Sequence, residues 1–173
     1  MIALITGASS GIGKEMAKNL ATRGVNLILV ARRTERLLAL KEEIVYNCPE
    51  IKVKTITADL SKEEQCFGLY NKVKDYKIDF LFNNAGFGLY GPFLETDLKD
   101  ELSMINVNIK AVHILTKLFL RDFAARNSGY ILNTASVAGF MAGPLLATYY
   151  AKKTMSYSLP RRFTRSLEAQ AAG

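Results

Sequence analysis

Residues 6–13, TGASSGIG, decide how the rest of the chain is read. The apolar residues 2–5 precede them, as a buried strand would, and a helical pattern opens near Gly11. Glycines clustered at a strand-to-helix junction have separate uses. Gly7 permits a tight turn, Gly11 lets backbone approach a ligand, and Gly13 lets the helix pack close to the strand. The first amide hydrogens of the new helix lack partners within it, so the turn predicts a seat for an anion, most naturally a pyrophosphate. Tight packing alone would account for the same glycines, and the choice rests on residues further along.

With 173 residues and 49% apolar composition, the chain suits one domain with a sizeable core. No apolar run reaches bilayer length, and the N-terminus passes straight into the strand and turn, which predicts a soluble, cytoplasmic protein that engages no membrane. Cys48, Cys66 and His113 have neither metal-ligand nor disulfide-framework spacing and are read as structural. The formal charge of +7 raises nucleic acid or an anionic ligand as a partner. Much of it sits late in the chain, where Lys152, Lys153, Arg161, Arg162 and Arg165 face only Glu168. Aromatic residues are not interleaved with those charges as stacking would require, so no nucleic-acid partner is expected.

Helical spacing of Ile12, Met16 and Leu20 continues the pattern to Gly24, and residues 25–31 read as a buried parallel strand. A helix from about Thr34 carries Leu37, Leu40 and Ile44 and stops before Pro49; residues 51–57 form the next strand. Ser61 and Glu64 have the spacing of a capping box and predict a third helix running towards Tyr76. Residues 78–82 are a short strand, residues 83–92 a loop, and Leu98, Leu102, Ile105, Ile109, Val112 and Phe119 mark one long amphipathic helix. Gly129 leads into a strand over residues 130–134. Strands alternating with helices make an α/β domain with a mostly parallel sheet, whose ligands bind at the carboxyl ends of the strands.

At the second strand's end a dinucleotide site needs an acid for a free ribose 2′-hydroxyl or a base for a 2′-phosphate. The residues there are Ala31, Arg32 and Arg33. That favours NADP over NAD, a pair of solvated arginines being the alternative. The missing acid counts against a methyl-donor site, and no Gly-Lys-Ser/Thr triplet follows the turn to make a P-loop. Asp59 either reaches an adenine edge or fixes the turn ahead of Ser61. Asn83 and Asn84 would cross-link strand ends, bringing backbone near Ala85 and Gly86 to the cofactor. Tyr149 and Lys153 stand four apart at a helix start, so both face one way; the ammonium would favour the phenolate and bring that group towards working pH. The same spacing also fits a half-buried tyrosine beside a solvated lysine.

TGASSGIG at residues 6–13, NNAG at residues 83–86, Ser136, and YYAKK at residues 149–153 together resemble the short-chain dehydrogenase/reductase family in order and spacing. The resemblance covers residues 1 to about 159. It implies a Rossmann-like doubly wound sheet of strand order 3-2-1-4-5 and an NADP(H)-dependent interconversion of carbonyl and alcohol. Tyr149 would be the general acid in reduction and the base in oxidation. Lys153 would lower its pKa and bond the nicotinamide ribose, and Ser136 would hold the substrate oxygen. Asn108 would anchor a water linking Lys153 to solvent; Ala111, a usual small residue, selects it over Asn106.

For the cofactor, the resemblance implies Gly7, Ser9, Gly11, Ile12 and Gly13 around the pyrophosphate and Arg32 at the 2′-phosphate. Asp59 and Leu60 would lie near adenine, and Asn83, Ala85 and Gly86 beneath the adenosine side. Ser10 departs from the many NADP-using members with a basic residue there, leaving the phosphate to Arg32 and Arg33. Phe87, Leu89, Tyr90, Phe140, Met141 and Leu146 suggest an apolar substrate wall. Residues 160–173 leave the family pattern: Pro160 would cost about 3 kcal/mol inside a helix, and the family's last two strands and lid are absent. The expectation is therefore a dinucleotide-binding domain over residues 1–159 with an atypical tail, and an apolar fifth-strand edge that promotes association. A homo-oligomer is expected, since family members often pair through the helices after strands four and five. The alternative function is a catalytically impaired module that binds NADP.

Overall fold

The computed structural model describes residues 1–135. Its centre is a parallel sheet of β1 (Ile2–Thr6), β2 (Asn26–Ala31), β3 (Val53–Thr57), β4 (Phe80–Asn83) and β5 (Tyr130–Asn133). The order is β3-β2-β1-β4-β5, as the sequence predicts. Leu4 pairs with Ile28 on one side and Leu81 on the other, which sets β1 at the middle of the sheet. Short connections cannot join parallel strands, so helices cross between them and cover both faces.

The alternation of side chains along each strand splits the core in two. Ala3, Ile5, Leu27 and Leu29 face α1 (Gly11–Ala21) and α2 (Thr34–Asn47), meeting Ala17, Ala21, Leu37, Leu40 and Ile44. Leu4, Ile28, Val30 and Leu81 face α3 (Glu63–Val73) and α5 (Val112–Ala125), meeting Leu69, Val73, Leu115, Phe119 and Phe123. Both faces are therefore dry, which is why β1 and β2 read as continuous apolar runs.

Four expectations differ in detail. The strands shift by one or two residues, gaining Thr6 and Asn83 at their carboxyl ends and losing Val25, Ile51, Lys52, Ile78, Asp79 and Thr134. In α1 the buried face is Gly13, Ala17 and Ala21, with Met16 and Leu20 half-buried against it; Ile12 is 64% exposed. The first turn of α1 lies past the carboxyl end of β1, where Ile12 lines a cleft. The capping box does not form: Lys62 precedes α3 and no side chain caps it. Asp59 Oδ1 instead accepts from the Ser61 amide at 3.1 Å and from Ser61 Oγ at 2.8 Å, charge-assisted bonds that engage Ser61 in the turn before α3.

The fourth difference concerns the long helix. It is α4 (Leu98–Ile105), a π-helical stretch Asn106–Ala111, then α5. Its inward face is Glu101, Met104, Val107, Asn108 and Ala111, whereas Leu98 and Leu102 are 69% and 51% exposed. Of the expected stripe, Val112 and Phe119 are buried and Ile105 and Ile109 half-buried, so it holds over the second half of the segment and fails at Leu98 and Leu102, where the inward face carries Glu101 instead. Asp97, which the sequence did not single out, caps α4 by accepting from Lys99 N at 2.7 Å and Asp100 N at 3.4 Å. No helix of the described residues is long and apolar enough to cross a membrane.

Candidate functional site

The chain turns to opposite sides of the sheet after β1 and β4, and a crevice opens at their carboxyl ends. A cleft of about 470 Å³ lies there. Its floor is the glycine turn, its far wall the ends of β2 and β3, and its near wall residues 84–88, Val107, Thr134 and Ala135.

The glycine turn takes its shape from backbone that other residues cannot follow. Gly7 has φ +67° and Gly11 φ +55°. A Cβ on Gly7 would lie 2.7 Å from Ala85 Cα, and one on Gly13 would lie 2.5 Å from Gly7 O. Gly13 thus brings α1 against the turn, while Gly11 faces open space and serves by conformation. The start of α1 has no side-chain cap, so its first amides point to the cleft without an internal partner.

A polar lattice ties the three strand ends together. Thr6 Oγ1 donates to Phe82 O at 3.2 Å and accepts from the amides of Asn84 and Ala85 at 3.0 Å each. Asn84 Nδ2 donates to Thr6 O at 3.2 Å and Gly7 O at 3.4 Å, and its Oδ1 accepts from Thr134 Oγ1 at 3.3 Å. Asn83 Nδ2 donates to Thr116 Oγ1 at 3.1 Å and Asn133 Oδ1 at 2.8 Å. The adjacent asparagines therefore cross-link strand ends as the sequence predicts, and both do so.

Asn108 sits under the near wall, 4% exposed. Its Nδ2 donates to Phe87 O at 2.8 Å and its Oδ1 accepts from Phe87 N at 3.1 Å, imitating a strand pair. A Cβ on Gly86 would lie 2.6 Å from that Oδ1, so the close approach requires glycine. The π-helical stretch presents Val107 and Asn108 together to this wall; such irregular turns recur at functional sites.

At the far wall Arg32 and Arg33 are both exposed and neither is ion-paired among the described residues. The Arg32 guanidinium carbon stands 6.0 Å from the centroid of the Phe87 ring. Arg33 Nη2 donates to Ser10 Oγ at 3.0 Å and Ser9 Oγ at 3.3 Å. Asp59 lines the cleft while fixing the turn before Ser61, so of its two readings the turn is present and the cleft position is kept. Two cationic forks, outward amides and a glycine floor fit a nicotinamide dinucleotide.

Ten of the expected cofactor residues line the cleft: Gly7, Ser9, Gly11, Ile12, Arg32, Arg33, Asp59, Leu60, Ala85 and Gly86. Gly13 and Asn83 stand behind its walls, buried, where they shape neighbours. Asn83 is thus a strut whose side-chain nitrogen ties β4 to α5 and β5. Ser136, Tyr149 and Lys153, with Phe140, Met141, Leu146 and residues 160–173, lie outside the described residues. Sequence reasoning missed Thr6 as a bridge and Asn84, Gly88 and Val107 as wall residues; the signal for the first three was a place at or just past a strand end, and Val107, in the π-helical stretch, carried none. Cys48 and Cys66 are buried free thiols, and burial pushes Cys66 up to about 11, so it stays protonated. His113 is exposed, and no cluster of metal-ligating side chains occurs among the described residues.

A doubly wound parallel sheet with this turn at its crossover point defines a nucleotide-binding domain of Rossmann type. The chain matches the family model described as short chain dehydrogenase over residues 1–172, and it belongs to the short-chain dehydrogenase/reductase family of oxidoreductases. It is 38% identical over 155 residues to a very-long-chain 3-oxoacyl-CoA reductase of Coccidioides immitis, covering 87% of this chain and 44% of that protein. An uncharacterized oxidoreductase of Staphylococcus saprophyticus is 34% identical over 168 residues, covering 96% and 71%. Among solved structures, a short-chain dehydrogenase from Sphingobium yanoikuyae in complex with NADPH superposes with a TM-score of 0.92 at 31% identity, covering 98% of this chain and 67% of that one. The bulky-bulky ketone specific alcohol dehydrogenase from Comamonas testosteroni gives 0.92 at 31%, covering 97% and 68%. The chain spans about half the length of the 3-oxoacyl-CoA reductases it matches.

Proposed function

We propose that the chain carries the NADP(H) site and the proton-transfer residues of a reductase that interconverts a carbonyl and an alcohol. The observation that carries this is the cleft's far wall, which Arg32 and Arg33 line just past the end of β2, where a basic residue would meet a 2′-phosphate, and no acid stands among the residues ending β2. When bound, the cofactor supplies or accepts a hydride at its nicotinamide ring. The glycine turn and the first amides of α1 hold the pyrophosphate. Ala85 and Gly86, in the near wall and braced by Asn83 and Asn84, would lie against the adenosine side.

In the reducing direction Tyr149 gives its Oη proton to the carbonyl oxygen as negative charge develops there, and in oxidation it takes the proton back. Lys153, four residues on, favours the phenolate and so makes that proton mobile at working pH. Ser136 donates a hydrogen bond to the same oxygen. Asn108 is the fourth member; its pair of hydrogen bonds with the Phe87 backbone holds the near wall, and it would carry the water that links Lys153 to solvent.

An apolar ketone is the proposed substrate class. Relatives named for 3-oxoacyl-CoA and for bulky-bulky ketones support it, and Phe87, Leu89 and Tyr90 would form part of the wall. A homo-oligomer is proposed from the exposed side chains of Tyr90, Phe93, Leu94, Leu98 and Leu102. Cytoplasmic residence accompanies it, since free thiols suit a reducing compartment.

The test is NADPH oxidation over aldehydes, ketones and 3-oxoacyl thioesters, beside the Tyr149→Phe variant. Turnover reduced at least about a hundredfold by Tyr149→Phe, with NADPH still bound, is the expected result. NADPH binding with no turnover on any carbonyl would favour the binding-module alternative.

A further inference from the structure

We propose that Ser10 is a positioning residue for cofactor choice: with Ser9 it holds Arg33 at the adenosine end of the cleft, ready for a 2′-phosphate. The inference rests on the NADP(H) assignment above. It concerns how this chain builds its phosphate site with a hydroxyl in the turn.

The geometry has three parts. Arg33 reaches back from the end of β2 to the glycine turn, and one nitrogen, Nη2, donates to both Ser10 Oγ at 3.0 Å and Ser9 Oγ at 3.3 Å. Both acceptors are neutral, and no carboxylate pairs with Arg33 among the described residues, so its charge is not cancelled. Arg33 and both serines line the cleft.

A guanidinium carries five N–H donors, and anchoring it through Nη2 leaves Nε and Nη1 for a phosphate. An exposed arginine that must be ordered on binding loses rotamer freedom at the cost of affinity. The serine hydroxyls order it beforehand. Cofactor without the 2′-phosphate gains nothing from the arrangement, so Ser10 acts on preference and acts through Arg33.

Equilibrium titration of the purified chain with NADPH and with NADH, followed by cofactor fluorescence, tests this in wild type, Ser10→Ala, Ser10→Thr, Arg33→Ala and the double variant Ser10→Ala/Arg33→Ala. Wild type is expected to bind NADPH more tightly than NADH. Ser10→Ala should weaken NADPH roughly threefold to tenfold, as expected for one newly mobile side chain. NADH affinity and melting temperature should stay unchanged, and Ser10→Thr should retain NADPH affinity. In the Arg33→Ala background, Ser10→Ala should have no further effect. Equal weakening of both cofactors, no weakening of NADPH, loss of NADPH affinity in Ser10→Thr, or an effect that persists without Arg33 would each overturn the proposal. Wild type binding NADPH no better than NADH would overturn the NADP(H) assignment itself, and the proposal with it, before any variant is compared.

Discussion

A methyl group added at Gly13 would meet Asn84 Nδ2, whose bonds join the turn to β4, and the backbone at Gly7 O, 2.5 Å away. Backbone cannot yield there as a flexible side chain would. Gly13→Ala is expected to destabilise the fold by about 1–3 kcal/mol, the cost of overpacking, and to weaken cofactor binding even though Gly13 does not line the cleft. Chemical denaturation beside a cofactor titration would check both effects. The tight turn at Gly7 and the close packing at Gly13 were legible from their place between a strand and a helix, because positive φ and close packing leave few residues to choose from. Asn83 was not legible in the same way. Nothing in NNAG says which asparagine faces the cleft, and the answer depends on Thr116 and Asn133, which lie 33 and 50 residues away. Asn108 was found only through a family likeness, since a polar residue on a helix gives no sign that Phe87 backbone will lie against it.

Elements were legible where both sides of a strand are dry, and less so where a helix borders the cleft. β1 and β2 stood out as apolar runs, with ends displaced only by a residue. In the long helix the inward face includes Glu101 and Asn108, so the apolar stripe read from the sequence fails at Leu98 and Leu102, which are exposed, and holds at Val112 and Phe119, which are buried. Helix starts were misread for a related reason: a cap depends on which nearby group competes for the amides. Asp97→Ala is expected to cost about 1 kcal/mol, since it removes the cap of α4. Glu64→Ala should stay within about 0.5 kcal/mol, because no capping box exists for it to complete. Thermal unfolding of the two variants compares them directly, and equal losses would mean that α3 is capped after all.

At the scale of the molecule, β5 is the last strand of the sheet among the described residues, and Tyr130 and Leu132 on it are 70% and 46% exposed. A second apolar surface runs from Tyr90 through Leu102. If α4 is the contact between copies, Leu98→Glu with Leu102→Glu should shift sedimentation towards the monomer and leave the melting temperature nearly unchanged, both side chains being exposed already. An unchanged sedimentation profile would place self-association elsewhere, for instance on β5. The α/β fold class was readable from strands alternating with helices, and the strand order and family from four motifs whose order and spacing resemble the family's. The polar lattice joining Thr6, Asn84 and Thr134 was not, because hydrogen bonds between distant residues leave no local period.

The central claim is that the chain's residues direct a hydride between a nicotinamide and a carbonyl carbon. The most direct measurement supplies NADPH carrying deuterium at the transferring position and locates the label in the products of an apolar ketone. Deuterium at the carbinol carbon, present with wild type and lost with Tyr149→Phe, is the predicted result. NADPH that binds the chain while the label reaches no carbonyl carbon would contradict it.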